Sequence, residues 1–311
     1  MLPIFLKTLP FFAIIALGWF AARIRFFPPV ATEWLTKFVF YFALSAMLFR
    51  FSAALDLTSL WDPAFVMAYL GGSLTVWLIG MAVARARGLS LPEMAMEAHC
   101  CVIGNTGFLG VPMLVVLLGP QAVGPVLMVL IVDLLVFSTL ITLIISGSGR
   151  GPIGWRTVAP LLKGLVGNPM IISMAAGLVW AWLRLPLPDP LVEFLDLLGA
   201  AATPGALFAI GASLVARSAS RIGPAIWLSF AKLTLHPLAV GIAAFGIFGV
   251  QPFAAGVMVA AAALPVAGNV YILAQHFNVA MQRVSTTILI STAASIVTIP
   301  FVIHWITGGL P

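Results

Sequence analysis

The sequence carries very little charge for its length. Of its 311 residues only 8% are Asp, Glu, Lys or Arg, whereas 62% are hydrophobic and the mean hydropathy is +1.16. Soluble domains have about 25% charged residues, so the composition excludes a soluble domain of this size. A chain so long and so apolar is typical of a polytopic membrane protein.

Cysteine and histidine are also scarce. The two cysteines, Cys100 and Cys101, are adjacent in one apolar run, which excludes a disulfide framework and a four-ligand metal site. The four histidines lie in different segments without metal-ligand spacing. No Walker loop, nucleophile elbow or zinc helix motif is present. We therefore expect no enzyme, no cofactor and no metal, and the lack of a nucleotide motif favours secondary over ATP-driven transport.

The apolar residues form runs long enough to span a bilayer. A spanning helix needs roughly 20 mostly apolar residues, and charged or Pro/Gly-rich joints divide the chain into ten such segments. We place them at 3–22, 34–54, 63–84, 93–118, 122–145, 166–184, 190–215, 223–247, 253–277 and 284–306. The predicted fold class is an all-α membrane protein with ten transmembrane helices.

Lys and Arg are distributed unequally between alternate joints. One side collects Arg23, Arg25, Arg85, Arg87, Arg150, Arg156, Lys163, Arg217, Arg221 and Arg283, and the other has Lys7, Arg50 and Arg184. The positive-inside rule then places both termini in the periplasm and the 146–164 connection in the cytoplasm. These loops account for the formal charge of +6. The expected surroundings are the lipid bilayer of the inner membrane, with no nucleic acid partner.

The stretch 104–112 interrupts the fourth segment. It contains three glycines, a proline, an amide and a hydroxyl within nine residues, a composition that predicts a break in the helix. Non-helical backbone at membrane depth is tolerated only where it is buried in protein or lines a wet cavity. The break therefore predicts a site.

A second break is expected at the matching position of a second half. The polar joint 146–152 divides the chain into two sets of five segments, and an odd number reverses the orientation of the second set. Residues 45–49 resemble 204–208 at an offset of 159 residues, and this offset carries 104–112 onto another Pro/Gly/Asn interruption at 263–271. Paired broken helices in an inverted repeat are a sequence pointer to a transporter's midplane site.

Four patches in this order resemble the auxin efflux carrier family, which includes bacterial malonate-type carriers and the plant PIN-FORMED exporters. The patches are Asn105-Thr106-Gly107-Phe108-Leu109-Gly110-Val111-Pro112, Asn168-Pro169, Pro204-Gly205-Ala206-Leu207-Phe208-Ala209-Ile210-Gly211 and Leu264-Pro265-Val266-Ala267-Gly268-Asn269. The resemblance covers essentially the whole chain. It implies a 5+5 inverted repeat of ten helices, with helices 4 and 9 broken and crossing near the substrate.

The resemblance also implies a division of the chain. The first repeat is 1–145, the connecting loop 146–164 and the second repeat 165–311. In space, helices 1, 2, 6 and 7 would form a scaffold and the remaining helices an elevator-type transport core, with a homodimer as the assembly. The 146–164 connection is short beside the long cytoplasmic loop of the plant exporters, which argues against control by phosphorylation.

The two predicted breaks supply most candidate substrate-binding residues. Asn105 and Asn269 lie in opposite halves, so their amides and the freed backbone groups could converge on one ligand, with half-helix N-termini presenting partial positive charge to an anion. The alternative is that both amides only cap broken helix ends. The remaining candidates are Thr106, Gly107, Pro112, Pro265 and Gly268 near the breaks and Ser45 in the second segment.

Three ionisable residues lie deep in apolar segments, where a charge is costly and usually functional. They are Asp133 in the fifth segment, and Lys232 with His236 one turn apart in the eighth. Two interpretations are open: a permanent Lys232–Asp133 pair that stabilises the core, or a Lys232 that attracts substrate while Asp133 lines the cavity and carries a proton. His236 is a candidate proton relay, or it satisfies a carbonyl freed by Pro237.

Glu97, one turn into the fourth segment, is a further coupling candidate. Its alternative role is structural, because a carboxylate near a helix N-terminus is stabilised by the helix dipole.

The predicted function is secondary transport of a small organic anion, such as an auxin-like acid or a dicarboxylate. A sodium- or proton-coupled symporter of the bile-acid-symporter type would share the architecture. A membrane sensor without transport is a second alternative.

Overall fold

The computed structural model describes residues 2–55, 62–148, 167–215 and 221–308. Within these ranges the chain is helical, and its extended pairing is limited to one isolated bridge. Most of the predicted 146–164 connection lies outside the described residues. So do four cations of the charge argument, Arg150, Arg156, Lys163 and Arg217.

We number the helices of the described ranges in chain order. They are α1 (Leu2–Arg23), α2 (Pro29–Ala53), α3 (Pro63–Ala86), α4 (Leu91–Val102), α5 (Thr106–Leu118), α6 (Pro120–Gly147), α7 (Pro169–Trp182), α8 (Asp189–Leu214), α9 (Ile222–Ile247), α10 (Pro252–Ala262), α11 (Gly268–Phe277) and α12 (Met281–Ile306). By length and composition, seven helices in these ranges could cross a membrane: α1, α2, α3, α6, α8, α9 and α12. The protein is therefore a multi-pass membrane protein.

Local sequence signals start several of these helices. Proline occupies the first turn of α2, α3, α7 and α10, where its missing N–H costs nothing. Asp62 and Asn168 accept from the backbone N–H two residues on and cap α3 and α7. Ser90 and Glu93 form a capping box on α4. Helix starts are thus well specified by sequence.

Each predicted segment contains helix, and the two predicted breaks are confirmed. The fourth segment is divided into α4 and α5, and the ninth into α10 and α11. The largest difference at a described boundary is in the second segment, where α2 begins at Pro29 rather than at 34. Its first turns carry Glu33 and Lys37, whose side chains form an exposed ion pair, so polarity there marks a solvated helix face and not a joint.

The helix bounds repeat along the chain. The starts and ends of α2 to α6 precede those of α8 to α12 by 159 to 162 residues. The variation has a structural cause in α9, which has 26 residues against 24 in α3 and contains two π-helical turns, Ala231–Leu235 and Ile242–Ile247. Because a π-turn bonds i to i+5, each can hold one additional residue. The two halves therefore share one pattern, two long helices, two short helices and a long helix.

Helix contacts fall into two groups. In one group, α1 packs on α8 and α7 packs on the C-terminal half of α2. In the other, α3 packs on α4 and α9, while α12 packs on α9 and α10 packs on α6 and α9. The groups meet where α8 contacts the start of α5 and where α1 contacts α12.

The contact between α1 and α8 depends on two glycines. A Cβ added at Gly18 would collide with the carbonyl of Phe208, and one added at Gly211 would collide with the carbonyl of Ile15. Small residues at such positions let two membrane helices approach backbone to backbone. The contact between α1 and α8 therefore has no room for a larger side chain at either position.

We expect Gly211→Ala to destabilise the protein, because the new methyl group meets backbone that cannot rotate away. The expected cost is about 1–3 kcal/mol, measured as a lower melting temperature in detergent. Gly223→Ala is the matched control, since a Cβ there has no neighbour within 4 Å. Equal melting temperatures for the two variants would contradict the close contact between α1 and α8.

Candidate functional site

The two helix breaks are hydrogen-bonded to each other. Gly104 and Val266 form an antiparallel bridge. The N–H of Asn105 donates to the carbonyl of Pro265 at 2.8 Å, and the N–H of Ala267 donates to the carbonyl of Ile103 at 3.2 Å. We call residues 103–105 and 263–267 the crossing. Each break thus satisfies backbone groups that the other one frees.

Asn105 does not cap the helix that it precedes. Its backbone carbonyl accepts from Leu109 and Gly110 at the start of α5, but its side chain makes no capping bond. The side chain is only 7% exposed and has no hydrogen-bond partner in the described part of the chain. The capping interpretation of Asn105 is therefore wrong in this structure, and a buried amide is left with free hydrogen-bonding capacity.

Asn269 has a different environment. It lies in the first turn of α11, whose N-cap is Ala267, and its side chain is exposed. Gly268 beside it is half-buried. The two amides thus flank the crossing, but only the amide of Asn105 is enclosed.

Asp133 lies beside the start of α5. Its carboxylate accepts from the hydroxyl of Tyr69 at 2.7 Å and from that of Thr106 at 3.4 Å. Asp133 is buried and opens a π-helical turn, Asp133–Phe137, a distortion often found at functional sites. Since α5 begins at Thr106, the carboxylate is next to the positive end of a half-helix dipole.

Lys232 lies at a helix C-terminus, whereas Asp133 lies beside a helix N-terminus. Its side chain is fully buried, and its ammonium donates to the carbonyl of Ala262, the last residue of α10. The ammonium also lies 3.1 Å from Nδ1 of His236, whose Nε2 is 2.8 Å from the hydroxyl of Ser73. A cation at a helix C-terminus is favoured by the dipole. Lys232 also lies in a π-helical turn.

Lys232 and Asp133 are not an ion pair. Among the described residues each has its own partners, the carbonyl of Ala262 and His236 for the ammonium and two hydroxyls for the carboxylate. Of the two open interpretations, a direct ion pair is therefore not what the structure contains, although the two charges still interact at longer range. One helix supports both charges, because Tyr69 and Ser73 lie one turn apart on α3.

Two supporting residues were missed from the sequence. Tyr69 and Ser73 are ordinary components of an apolar helix by composition, and neither lies at a break. The available signal was their spacing of four residues in the middle of α3, which puts two hydroxyls on one helix face. A buried tyrosine hydroxyl usually has a partner, so Tyr69 pointed to an acceptor such as Asp133.

The remaining candidates divide between the crossing and other places. The carbonyl of Pro265 is part of the crossing, and Gly107 lies against the side chain of Met170 at the start of α7. Ser45 donates to the carbonyl of Phe40 in its own helix at 3.2 Å, so its hydroxyl is already used. Pro112 lines a different cavity.

That cavity lies between α2, α5 and α8 and has a volume of about 230 Å³. Beside Pro112 it contains Arg50, whose Nε is 3.2 Å from a carboxylate oxygen of Asp196. It is an open crevice at the boundary between the two helix groups, separate from the crossing.

Glu97 belongs to a charge cluster at the start of α4. Arg87 donates to it at 2.6 Å, and Nε of Arg283 lies 3.0 Å away in an ion pair without hydrogen-bond geometry. Arg283 also donates to Glu93 at 2.6 Å, and Ser90 donates to the other oxygen of Glu93 at 2.8 Å. The cluster joins the end of α3 and the start of α12 to α4, so the structure gives Glu97 structural partners away from the crossing.

Two mutually bonded helix breaks beside buried charges define a class, the membrane transporters built on broken helices. A sequence family described as "Membrane transport protein" matches residues 3–151 and 154–303. A protein of Rhizobium meliloti (strain 1021) named "Putative malonate transporter" is 31% identical over 308 residues, 98% of this chain and 96% of that protein. The chain therefore belongs to the membrane transport protein family, of the auxin efflux carrier type that its motifs resemble. It is a transporter and not an enzyme.

We expect Glu97→Ala to destabilise the fold, because Glu97 is 1% exposed and its loss leaves Arg87 and Arg283 without their shared carboxylate. Arg87 is 31% exposed and Arg283 keeps its bond to Glu93, so we expect a cost of about 1–3 kcal/mol, below that of a fully buried pair. The matched control is Glu33→Ala, which removes an exposed pair with Lys37 and should cost at most about 1 kcal/mol. Melting temperatures in detergent test both.

The isosteric Glu97→Gln variant separates structure from coupling. A variant with wild-type stability and no transport would reverse the structural assignment and restore Glu97 as a coupling candidate.

Proposed function

We propose that this protein is a secondary transporter that moves a small organic anion across the inner membrane, with both termini in the periplasm and dicarboxylates such as malonate as the first substrates to test. The observation that carries the proposal is the fully buried ammonium of Lys232 beside the crossing, which forms no direct ion pair with a carboxylate of the described residues. The name of the Rhizobium meliloti relative supports this substrate class.

The position of Lys232 favours an anionic ligand. A charge at membrane depth costs about 3 kcal/mol on insertion scales, and an ammonium has three donor hydrogens. One of these goes to the carbonyl of Ala262, and Nδ1 of His236, 3.1 Å away, can accept a second only in the tautomer that carries its proton on Nε2. A carboxylate about 4 Å away would be attracted by about 4 kcal/mol at an effective dielectric constant near 20. Binding of an anion would thus offset the cost of burying the lysine.

Asn105 supplies the second argument. Its amide makes no hydrogen bond to the described residues, and Asn105 follows directly on Gly104, which lies against the ammonium of Lys232. A carboxylate ligand could accept from the amide of Asn105 while Lys232 supplies the charge. Thr106, Gly107 and the half-helix N-terminus of α11 at Gly268 and Asn269 complete the proposed site.

Asp133 has a separate role in this proposal. Because it is bonded to Tyr69 and Thr106 and not to Lys232, it does not neutralise the ammonium directly. It fixes the first residue of α5 beside the site. Asp133 and His236 are the candidates for carrying a proton if transport is coupled to protons.

The two helix groups support an elevator-type mechanism. In this proposal α1, α2, α7 and α8 form the scaffold of a homodimer, and the other helices form the mobile core of a 5+5 inverted repeat. The surface between them includes Gly107 against Met170, and Phe108 stacked on Phe40 with ring centroids 5.9 Å apart. Motion of the core along this surface would carry the crossing from one side of the membrane to the other.

We expect Asn105→Ala to weaken malonate binding by a factor of about ten or more, since a hydrogen bond to a charged group contributes about 1.5–3 kcal/mol. Malonate counterflow in proteoliposomes should fall to background while the melting temperature stays at the wild-type value. The control is Gln275→Ala, which removes an exposed amide elsewhere on α11. Wild-type flux in Asn105→Ala would exclude the site.

The ligand class is tested by a thermal shift screen of the purified protein with monocarboxylates, dicarboxylates, indole acids and neutral analogues. We expect anions to raise the melting temperature and neutral analogues to leave it unchanged. Stabilisation by neutral solutes alone would refute the anion proposal. Binding without any translocation in liposomes would favour the sensor alternative.

A further inference from the structure

We infer that the ammonium of Lys232 is a built-in cation that occupies the place of a free coupling cation, so that removal of the side chain creates a binding site for a small monovalent cation. This inference rests on the proposed anion transport. It concerns the coupling cation that Lys232 replaces, whereas the proposed function concerns the anion that Lys232 attracts.

The first argument is the location of the ammonium. In transporters with broken helices, unwound carbonyls and half-helix C-terminal ends coordinate the coupling cation. Here α10 ends at Ala262, and the carbonyl of this residue accepts from Lys232. The negative end of the dipole of α10 therefore already faces a cation, the ammonium of Lys232, which is covalently attached to α9.

The second argument is the set of groups around the ammonium. The carbonyl oxygen of Ala261 and the ammonium of Lys232 lie 3.2 and 3.3 Å from the position that a Cβ of Gly104 would occupy. Nδ1 of His236 is 3.1 Å from the ammonium, and its ring is held by Ser73. Nδ1 of His236 also lies 3.2 Å from the carbonyl of Ala262, so the ring stays beside that oxygen. Without the lysine side chain, the carbonyl oxygens of Ala261 and Ala262 would face a vacated volume at a helix C-terminus, and carbonyl oxygens suit a small cation.

The third argument is that stability of the fold does not account for Lys232. A structural cation in a membrane interior usually forms a direct ion pair with a carboxylate, whereas Asp133 accepts from Tyr69 and Thr106 and acts on the ammonium only through its charge at longer range. A neutral residue at this position would avoid the cost of burial. We therefore assign the charge of Lys232 to ligand binding, in the role that a sodium ion has in a cation-coupled carrier.

The test compares malonate binding to purified wild type and Lys232→Ala in choline chloride with binding in sodium, lithium or methylammonium chloride at equal ionic strength. We expect the wild-type dissociation constant to be the same in all four salts. Lys232→Ala should lose malonate binding in choline, which is too large for the site, and regain it by about tenfold or more in at least one of the smaller cations.

Two variants serve as controls. Asn105→Ala should bind malonate about tenfold or more weakly than the wild type in every salt, because its defect is a lost ligand contact and not a lost charge. Lys37→Ala removes an exposed lysine in α2 and should bind malonate as the wild type does. Rescue of malonate binding by sodium in both Lys232→Ala and Asn105→Ala would show a general salt effect and overturn the inference.

Cation binding can also be measured without the anion. Sodium or lithium should raise the melting temperature of Lys232→Ala more than choline does and should have no such effect on the wild type. A folded Lys232→Ala that responds to no small cation would overturn the inference and leave the anion site intact. If Lys232→Ala does not fold, Lys232→Met replaces the charge with similar volume and should bind no malonate in any salt. Sodium-dependent malonate binding by the wild type would overturn the inference in either case.

Discussion

A peptide group in hydrocarbon needs a hydrogen-bond partner, and this transporter meets that requirement at two helix breaks by bonding them to each other. The N–H groups of Asn105 and Ala267 reach carbonyls of the opposite break. Neither break would be tolerated alone, because its freed groups would have no partner at that depth. The position of one interruption therefore constrains the other, although they lie in different halves of the chain.

The buried charges follow the polarity of the helix ends that the breaks create. Asp133 is beside the N-terminal end of α5 and Lys232 is at the C-terminal end of α10, so each faces the partial charge opposite to its own. Tyr69 and Ser73 connect both to α3. This arrangement keeps two opposite charges close to one crossing without a direct ion pair between them.

The sequence predicted the elements of this site better than their contacts. Breaks at 104–112 and 263–271 followed from Gly, Pro and Asn in apolar runs, and the depth of Lys232 followed from helical rise. The partner of Lys232 did not follow from the sequence, because it depends on how α9 packs against α10. Local sequence also could not show that the amide of Asn105 makes no cap or that Glu97 meets Arg283, since the latter contact joins residues 186 apart in the chain.

The repeat of the helix bounds has a consequence for the number of sites. A displacement of 159 residues relates Lys232 to Ser73 and Asp133 to Thr292, so each of these two charged residues has a hydroxyl residue as its counterpart. Two halves with equal charges would offer two equivalent places for a ligand, and repulsion between like charges would follow. With one ammonium and one carboxylate, the two halves of the chain differ in charge although their helix bounds match.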